Sequence, residues 1–175
     1  MKKIATILIL LCIVPLLFSC ATDEKTTQKD ALTNFLSFYY NQYEIKDEVE
    51  AIFKPYSGEL TKANAYDLEQ SLEKFMGNYF DDALTAEGKE LVLANRLIPD
   101  ARVIDSPIVS AEIRTIDYQV AENQIEGPYH YTAEILYRYP DDTTEAQTHE
   151  GLIRAERKDD RYKIDYFQPV IDRSQ

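Results

Sequence analysis

Apolar residues with helical spacing dominate the first part of the chain after position 30. Within residues 31–53, five of them recur every three or four positions on one face: Leu32, Phe35, Leu36, Tyr39 and Tyr43. This pattern predicts a helix that Asp30 caps, followed over 46–53 by a second short helix or a continuation of the first. Pro55 and Gly58 are expected to end this segment.

Two further helices are predicted before position 100. The run 64–80 places five apolar side chains on one face: Leu68, Leu72, Phe75, Met76 and Tyr79. The next helix is expected to begin after Thr85, a suitable N-cap, with Glu87 near the positive end of the helix dipole, and to end at Pro99. We expect its buried side to consist of Leu91, Ala94 and Ile98.

The apolar period changes from helical to two after Pro99. The first apolar residues of this stretch occupy odd-numbered positions and share one face: Val109, Ala111 and Ile113. The later ones occupy even-numbered positions and share the other face: Ile116, Tyr118 and Val120. Because one extra residue near Arg114 and Thr115 accounts for this switch, the sequence predicts a β-bulge there.

Three more strands are predicted over 129–139, 147–158 and 161–168. The last two are joined at Asp159-Asp160, residues that suit a tight hairpin turn. In the final strand, Tyr162, Ile164 and Tyr166 are expected to share one face. Helices followed by about four antiparallel strands predict an α+β domain, with the helices packed on the apolar face of a curved sheet.

The amino terminus has the features of an export signal. Lys2 and Lys3 precede an uncharged apolar run over 4–18, which is too short to span a bilayer comfortably and contains Pro15. The segment ends Leu17-Phe18-Ser19-Cys20, which resembles the lipobox of bacterial lipoproteins. An ordinary secretory peptide with a chance cysteine is the alternative.

The lipoprotein resemblance implies a division of the chain into three parts. Residues 1–19 would be a cleaved signal peptide, 20–30 a lipidated cysteine with a polar tether, and 31–175 the folded domain. Cys20 would carry acyl chains such as palmitate and so attach the protein to the cell membrane or outer membrane, on the extracytoplasmic side. Two or more acyl chains are needed for stable anchoring.

Charge and cysteine content exclude several functions. The chain has 31 acidic and 19 basic residues and a formal charge of −12, the wrong sign for neutralising nucleic-acid phosphates. Cys12 lies inside the predicted signal and Cys20 would be acylated. The mature chain would therefore have no thiol for a disulfide, a nucleophile or a metal site.

The element order, the parity switch and the segment YFDDALTAEGKELVLANRLIP resemble the NTF2-like, or cystatin-like cone, superfamily. The resemblance implies a conical cavity between helices and sheet, and a homodimer formed through the sheet. It implies a non-catalytic domain for binding or assembly with an envelope protein partner, as in transport or conjugation machines. The alternative is a SnoaL-like small-molecule binder or enzyme that uses the cone. A cystatin-type layout would give nearly the same pattern.

Candidate pocket residues follow from side-chain parity. His149 shares its face with Gly151, Ile153 and Ala155, so we expect it to point inward, whereas His130 should face water. Six of the 13 tyrosines are candidates to line the cavity: Tyr39, Tyr79, Tyr118, Tyr131, Tyr137 and Tyr166. The alternative is that these tyrosines only fill half-buried structural positions.

No residue is assigned a catalytic role at this point. Asp117, Glu134 and Asp165 all have the outward parity, so no acid accompanies His149 on the inner face. Nucleotide-binding and metal-binding motifs are absent from the sequence, and no cofactor or metal is expected. These observations favour a protein that is not an enzyme.

Acylation at Cys20 is directly testable. We expect the purified native protein to begin at Cys20 and to carry a diacylglyceryl group, detected as an added mass on the amino-terminal peptide. Cys20→Ser should leave an uncleaved, unmodified chain, and Cys12→Ser, the matched control, should be processed normally. An intact Met1 in the native protein would contradict the lipoprotein interpretation.

Overall fold

The computed structural model describes residues 27–56, 62–120 and 127–170, with no side-chain account of 62 and 63. These ranges contain the helices α1 Gln28–Tyr40, α2 Lys46–Phe53, α3 Lys62–Tyr79 and α4 Ala86–Ala94. They also contain the strands β1 Ser110–Val120, β2 Tyr129–Arg138, β3 Thr144–Lys158 and β4 Arg161–Pro169. The strands form one antiparallel sheet in the order β1-β2-β3-β4. The predicted α+β class, with helices ahead of a four-stranded sheet, is confirmed.

Some predictions concern residues beyond this description. The signal segment, Cys20 and Gly58 all lie outside the described residues. Within the described ranges, no helix combines the length and the apolar content that crossing a membrane requires.

Helix α1 begins three residues earlier than the apolar pattern predicts. Thr27 is its N-cap: the Asp30 backbone N–H donates to Thr27 Oγ1 at 3.2 Å, and the Thr27 backbone N–H donates to Asp30 Oδ2 at 2.9 Å. The prediction that Asp30 is the cap is therefore wrong, because Asp30 instead completes a capping box from the third helical position. Residues 27–30, predicted as tether, belong to the helix and its cap.

The core lies between α1 and the inner face of the sheet. Phe35 packs edge-on against Phe167 of β4 with 5.0 Å between ring centroids, and Phe167 stacks on Tyr131 of β2 at 6.3 Å. All three side chains are at most 2% exposed. Since each aromatic residue buries a large apolar area, this group fixes α1 across the sheet.

Helix α4 buries a different face from the one expected. Its N-cap is Thr85, as predicted, and the Gly88 N–H donates to Thr85 Oγ1 at 3.0 Å. Gly88 lies against the backbone of Ile164 in β4, so close that a Cβ would be 2.2 Å from its carbonyl oxygen. This contact turns Gly88 and Val92 inward.

The predicted buried side of α4 is correspondingly wrong in part. Ala94 is exposed and Leu91 is half-buried, whereas Ile98 is buried but lies beyond the end of the helix. Glycine gives no apolar signal, so the sequence pattern did not indicate the face on which Gly88 meets the sheet.

The sheet contains two bulges, one predicted and one not. The β1–β2 register shifts between Ile113 and Thr115, which confirms the predicted bulge. The β3–β4 register shifts as well: Ala155 pairs with Ile164 and Arg154 with Tyr166, which leaves Asp165 as the extra residue.

The β4 bulge reverses the side chains that follow it. Ile164 and Phe167 are the buried residues of this strand, while Tyr166 is half-buried and its hydroxyl donates to Gln168. The prediction that Tyr166 shares a face with Ile164 is therefore wrong. The hairpin turn at Asp159-Asp160 forms as predicted, with positive φ angles of 47° and 66°.

Two glycines should respond oppositely to substitution. A Cβ at Gly151 would lie 2.6 Å from the Gln168 carbonyl oxygen and 2.7 Å from the buried Tyr131 ring, so Gly151→Ala should destabilise the fold by about 1–3 kcal/mol. Gly77, on an exposed part of α3, has nothing within 4 Å, so Gly77→Ala should stabilise it by up to about 1 kcal/mol. Urea unfolding measures both changes, and equal stability of the two variants would contradict the packing at Gly151.

Candidate functional site

Within the described residues, a half-open cleft at the end of the sheet where β2 ends and β3 begins brings together several chemically useful side chains. Its volume is about 860 Å³. The C-terminal end of α1, the turn around Ala101–Val103 and the two strands supply its walls. Its principal polar and aromatic lining consists of Tyr39, Tyr40, Tyr43, Asp100, Arg102, Tyr137, Tyr139, Glu145 and His149.

His149 points inward, as its parity predicts. The half-buried imidazole packs beside the Tyr40 ring at 5.0 Å, and its Nε2 lies 2.9 Å from the Tyr137 hydroxyl. Burial, with a smaller effect from the charge of Arg102, lowers the pKa of His149 below its ordinary 6.5. The ring is consequently neutral at pH 7, and the pair can exchange a hydrogen bond in either direction according to the tautomer.

An ion pair forms the wall opposite the sheet. The Arg102 Nε donates to Asp100 Oδ1 at 2.8 Å and its Nη2 donates to Oδ2 at 2.6 Å. The Asp100 side chain is 14% exposed and that of Arg102 is 60% exposed, so the carboxylate lies behind the guanidinium. Buried Gln42 holds the segment in place, because its Oε1 accepts the Asp100 N–H at 2.9 Å.

The floor of the cleft is made of tyrosines that keep their protons. The Tyr40 and Tyr131 hydroxyls are 3.0 Å apart. Burial is the main cause that raises the pKa of Tyr39, Tyr40, Tyr131 and Tyr137 well above the ordinary value of 10. These groups therefore offer neutral hydroxyls over a wide pH range.

The structure brings together three of the seven predicted pocket residues at the surface of this cleft: Tyr39, Tyr137 and His149. Tyr131 lies directly beneath them and is fully buried. The other three are elsewhere: the Tyr118 hydroxyl lies 3.0 Å from Thr33 Oγ1, Tyr166 lies beside Gln168, and Tyr79 borders a separate cavity.

That second cavity, of about 830 Å³, lies between α1, the end of α3 and the β3–β4 hairpin. Phe38, Tyr79 and Tyr162 line it together with aspartates. Its charged groups are exposed, and two of its aspartates form ion pairs: Asp82 lies 3.7 Å from Arg161, and Asp160 lies 2.8 Å from Arg157. It offers no buried polar group comparable with His149 among the residues described.

Four charged residues of the cleft were not predicted from the sequence: Glu145, Glu150, Asp100 and Arg102. Glu145 shares the parity of His149, but the predicted strand began at Gln147 and left it in a loop, whereas β3 begins at Thr144. Its Oε2 accepts the Tyr139 hydroxyl at 3.0 Å. Asp100 and Arg102 reach the cleft through the tertiary fold alone, so the sequence carried no signal for them.

The cleft has few features of a metal or catalytic centre. Across the described ranges, no three histidine, cysteine, aspartate or glutamate side chains gather in a way that could hold a metal ion. In the same ranges no carboxylate pairs with the His149 ring, since the one histidine–carboxylate pair is His130 with Glu150 at 4.0 Å. The arrangement can hold a ligand by hydrogen bonds and ring contacts.

No family model, curated protein or solved structure matches this chain. The NTF2-like resemblance accordingly stays a prediction.

The environment of His149 should make stability depend on pH. Between the lowered pKa of the folded state and about 6.5 in the unfolded chain, the unfolded state binds more protons. The free energy of unfolding should therefore fall as the pH drops from about 7 and level off below the folded-state pKa. An NMR titration of the imidazole and urea unfolding between about pH 5 and 8 measure the two quantities.

Two substitutions isolate this effect. His149→Gln should remove its part of the pH slope, while His130→Gln, on the opposite face of the sheet, should retain it. A titration midpoint for His149 at or above 6.5 would show that the ring is not desolvated as described.

Proposed function

We propose that this chain is a lipid-anchored, extracytoplasmic binding protein, and that its α+β domain holds a small molecule in the cleft without transforming it. The observation that carries the proposal is the His149–Tyr137 pair, 2.9 Å apart and facing a cleft of about 860 Å³. Ligand sites in proteins commonly have volumes of roughly 300–1,000 Å³, with a few polar groups among apolar walls.

The deep part of the domain supports a site at the cleft rather than inside the cone. Phe35, Tyr131 and Phe167 occupy the space between α1 and the sheet and are at most 2% exposed. A ligand cannot enter there without displacing the core. The open volume of the cleft begins beside Tyr40 and His149, which lie at the edge of this aromatic packing.

The surroundings of His149 favour binding over proton-transfer catalysis. A histidine base is normally oriented by a carboxylate or a similar partner on its second nitrogen. Tyr137 is the hydrogen-bond partner of this ring, through Nε2. Binding a ligand without catalysing a reaction is therefore the simpler role for this cleft. The envelope protein partner and the homodimer that the family resemblance implies are both compatible with that role.

The anchoring part of the proposal rests on Leu17, Ser19 and Cys20 in the sequence. Seven residue steps separate Cys20 from Thr27, a span of at most about 25 Å. Tyr39 and Tyr40 are at the opposite end of α1, roughly 18 Å further along the helix at 1.5 Å per residue. An anchor at Cys20 would thus hold the N-terminal end of α1 near the lipid and leave the cleft at the helix's other end.

Binding in the cleft can be tested by NMR screening of small polar aromatic compounds. We expect binders to shift resonances of Tyr137 and His149. Tyr137→Phe removes one hydroxyl and should weaken binding by about threefold to tenfold, the usual effect of one neutral hydrogen bond. Tyr166→Phe, which removes a hydroxyl from the other side of the sheet, is the matched control. Shifts confined to residues outside the cleft would refute the proposed site.

A further inference from the structure

Building on the proposed binding function, we propose that the cleft takes a ligand with a carboxylate group, which the Arg102 guanidinium binds while the apolar body of the ligand lies against the tyrosine rings. The ligand class is therefore a small monocarboxylate with an aromatic or similarly apolar body. Three features of the cleft favour this class: the geometry of Arg102, the reach of its charge and the partners that the acidic groups already have.

Arg102 is held in place with part of its donor capacity unused. Its contacts with Asp100 use Nε and Nη2, at 2.6–3.1 Å, and the Asp100 carboxylate also accepts the Arg102 backbone N–H at 3.0 Å. A guanidinium has five N–H donors in a fixed plane. The guanidinium also interacts with the Tyr39 hydroxyl, and because the Arg102 side chain is 60% exposed, its remaining donors can reach an acceptor in the cleft.

The positive charge of Arg102 extends across the cleft floor. It lowers the pKa of the otherwise raised Tyr40 and Tyr137 hydroxyls, and it helps to lower the pKa of His149. At Tyr39 and Tyr43 Asp100 raises the pKa and Arg102 lowers it, so the two charges oppose each other there. The inner part of the cleft therefore experiences Arg102 more than its partner, which favours a negative group there.

The two glutamates that line the cleft already have hydrogen-bond or ion-pair partners. Both oxygens of Glu145 already accept hydrogen bonds, from the Tyr139 hydroxyl at 3.0 Å and from Gln147 at 2.9 Å. Glu150 has the opposite parity from His149 and lies 4.0 Å from His130. A cation in the cleft would have to compete with these partners for the carboxylate oxygens, whereas the Arg102 guanidinium is 60% exposed to an incoming anion.

Neutral donors beside Arg102 would complete a carboxylate site. The half-buried Tyr43 packs edge-on against Tyr137 with 5.8 Å between ring centroids, and its hydroxyl has no hydrogen-bond partner in the described part of the chain. Val103 and Ile108 add apolar surface to the same walls. A carboxylate at Arg102 would leave an attached ring facing these residues.

Three probes of equal shape separate the ligand classes: phenylacetate, 2-phenylethylamine and 2-phenylethanol. Each is titrated into the purified full-length chain in detergent, with the NMR signals of His149 and the cleft tyrosines as the readout. We expect phenylacetate to bind at least tenfold more tightly than either analogue. Arg102→Gln should weaken phenylacetate binding by about tenfold to a hundredfold, as expected for loss of a charge-assisted hydrogen bond.

Arg157→Gln is the matched control. Arg157 is 54% exposed, compared with 60% for Arg102, and it pairs with Asp160 at 2.8 Å in the distant β3–β4 turn. This variant should bind phenylacetate normally, and it also reports any uptake of probe by the detergent. Should Arg102→Gln fail to fold, Arg102→Lys is the second variant: it keeps the charge but loses the planar fork, and it should also weaken phenylacetate binding, by a smaller factor.

Each alternative result has a distinct meaning. Equal or tighter binding of the amine or the alcohol in the cleft overturns the carboxylate inference and leaves the proposed binding function standing. Binding of phenylacetate that Arg102→Gln does not weaken also overturns the inference alone. If none of the three probes shifts the cleft resonances, the carboxylate inference and the proposed function both fail.

Discussion

The aromatic contact between helix α1 and the inner face of the sheet determines where every other part of the domain can lie. Phe35 meets Phe167 at 5.0 Å, and Phe167 in turn stacks on Tyr131 at 6.3 Å. Because interiors are close-packed, these rings leave α1 little freedom to shift across the strands. The last turn of α1 is thereby fixed at the mouth of the cleft, where Tyr39 and Tyr40 form part of the wall.

Periodicity predicted most of the elements because most of them bury a continuous apolar face; α4 is an exception, since it meets the sheet through Gly88. The helices over 28–40 and 62–79, the bulge near Arg114 and the turn at Asp159-Asp160 all leave local signals in residue spacing or turn chemistry. The second bulge does not. Tyr162, Ile164 and Tyr166 keep a regular alternation in the sequence, and the shift arises where Ile164 exchanges backbone hydrogen bonds with Ala83 and Thr85.

The candidate site was predictable only in part, because sequence periodicity indicates only the residues that occupy regular strand or helix positions. His149 and Tyr137 occupy regular strand positions, so parity placed them on the inner face. Asp100 and Arg102 follow α4 in an irregular segment, and their position depends on the contact from Gln42, just after the C-terminal end of α1. Such non-local contacts leave no periodic pattern in the sequence. The positions of Asp100 and Arg102 in the cleft are therefore visible only in the folded structure.

The overall charge of the protein constrains how this cleft can recognise a ligand. A formal charge of −12 repels anions at long range, but at physiological salt that repulsion decays over a screening length of about 8 Å. Arg102 acts within hydrogen-bond distance, where screening is weak and where Asp100 already fixes the plane of its guanidinium. Recognition in this cleft therefore depends on short-range geometry more than on attraction from a distance, and the rigidity supplied by Asp100 and Gln42 is as important to it as the charge itself.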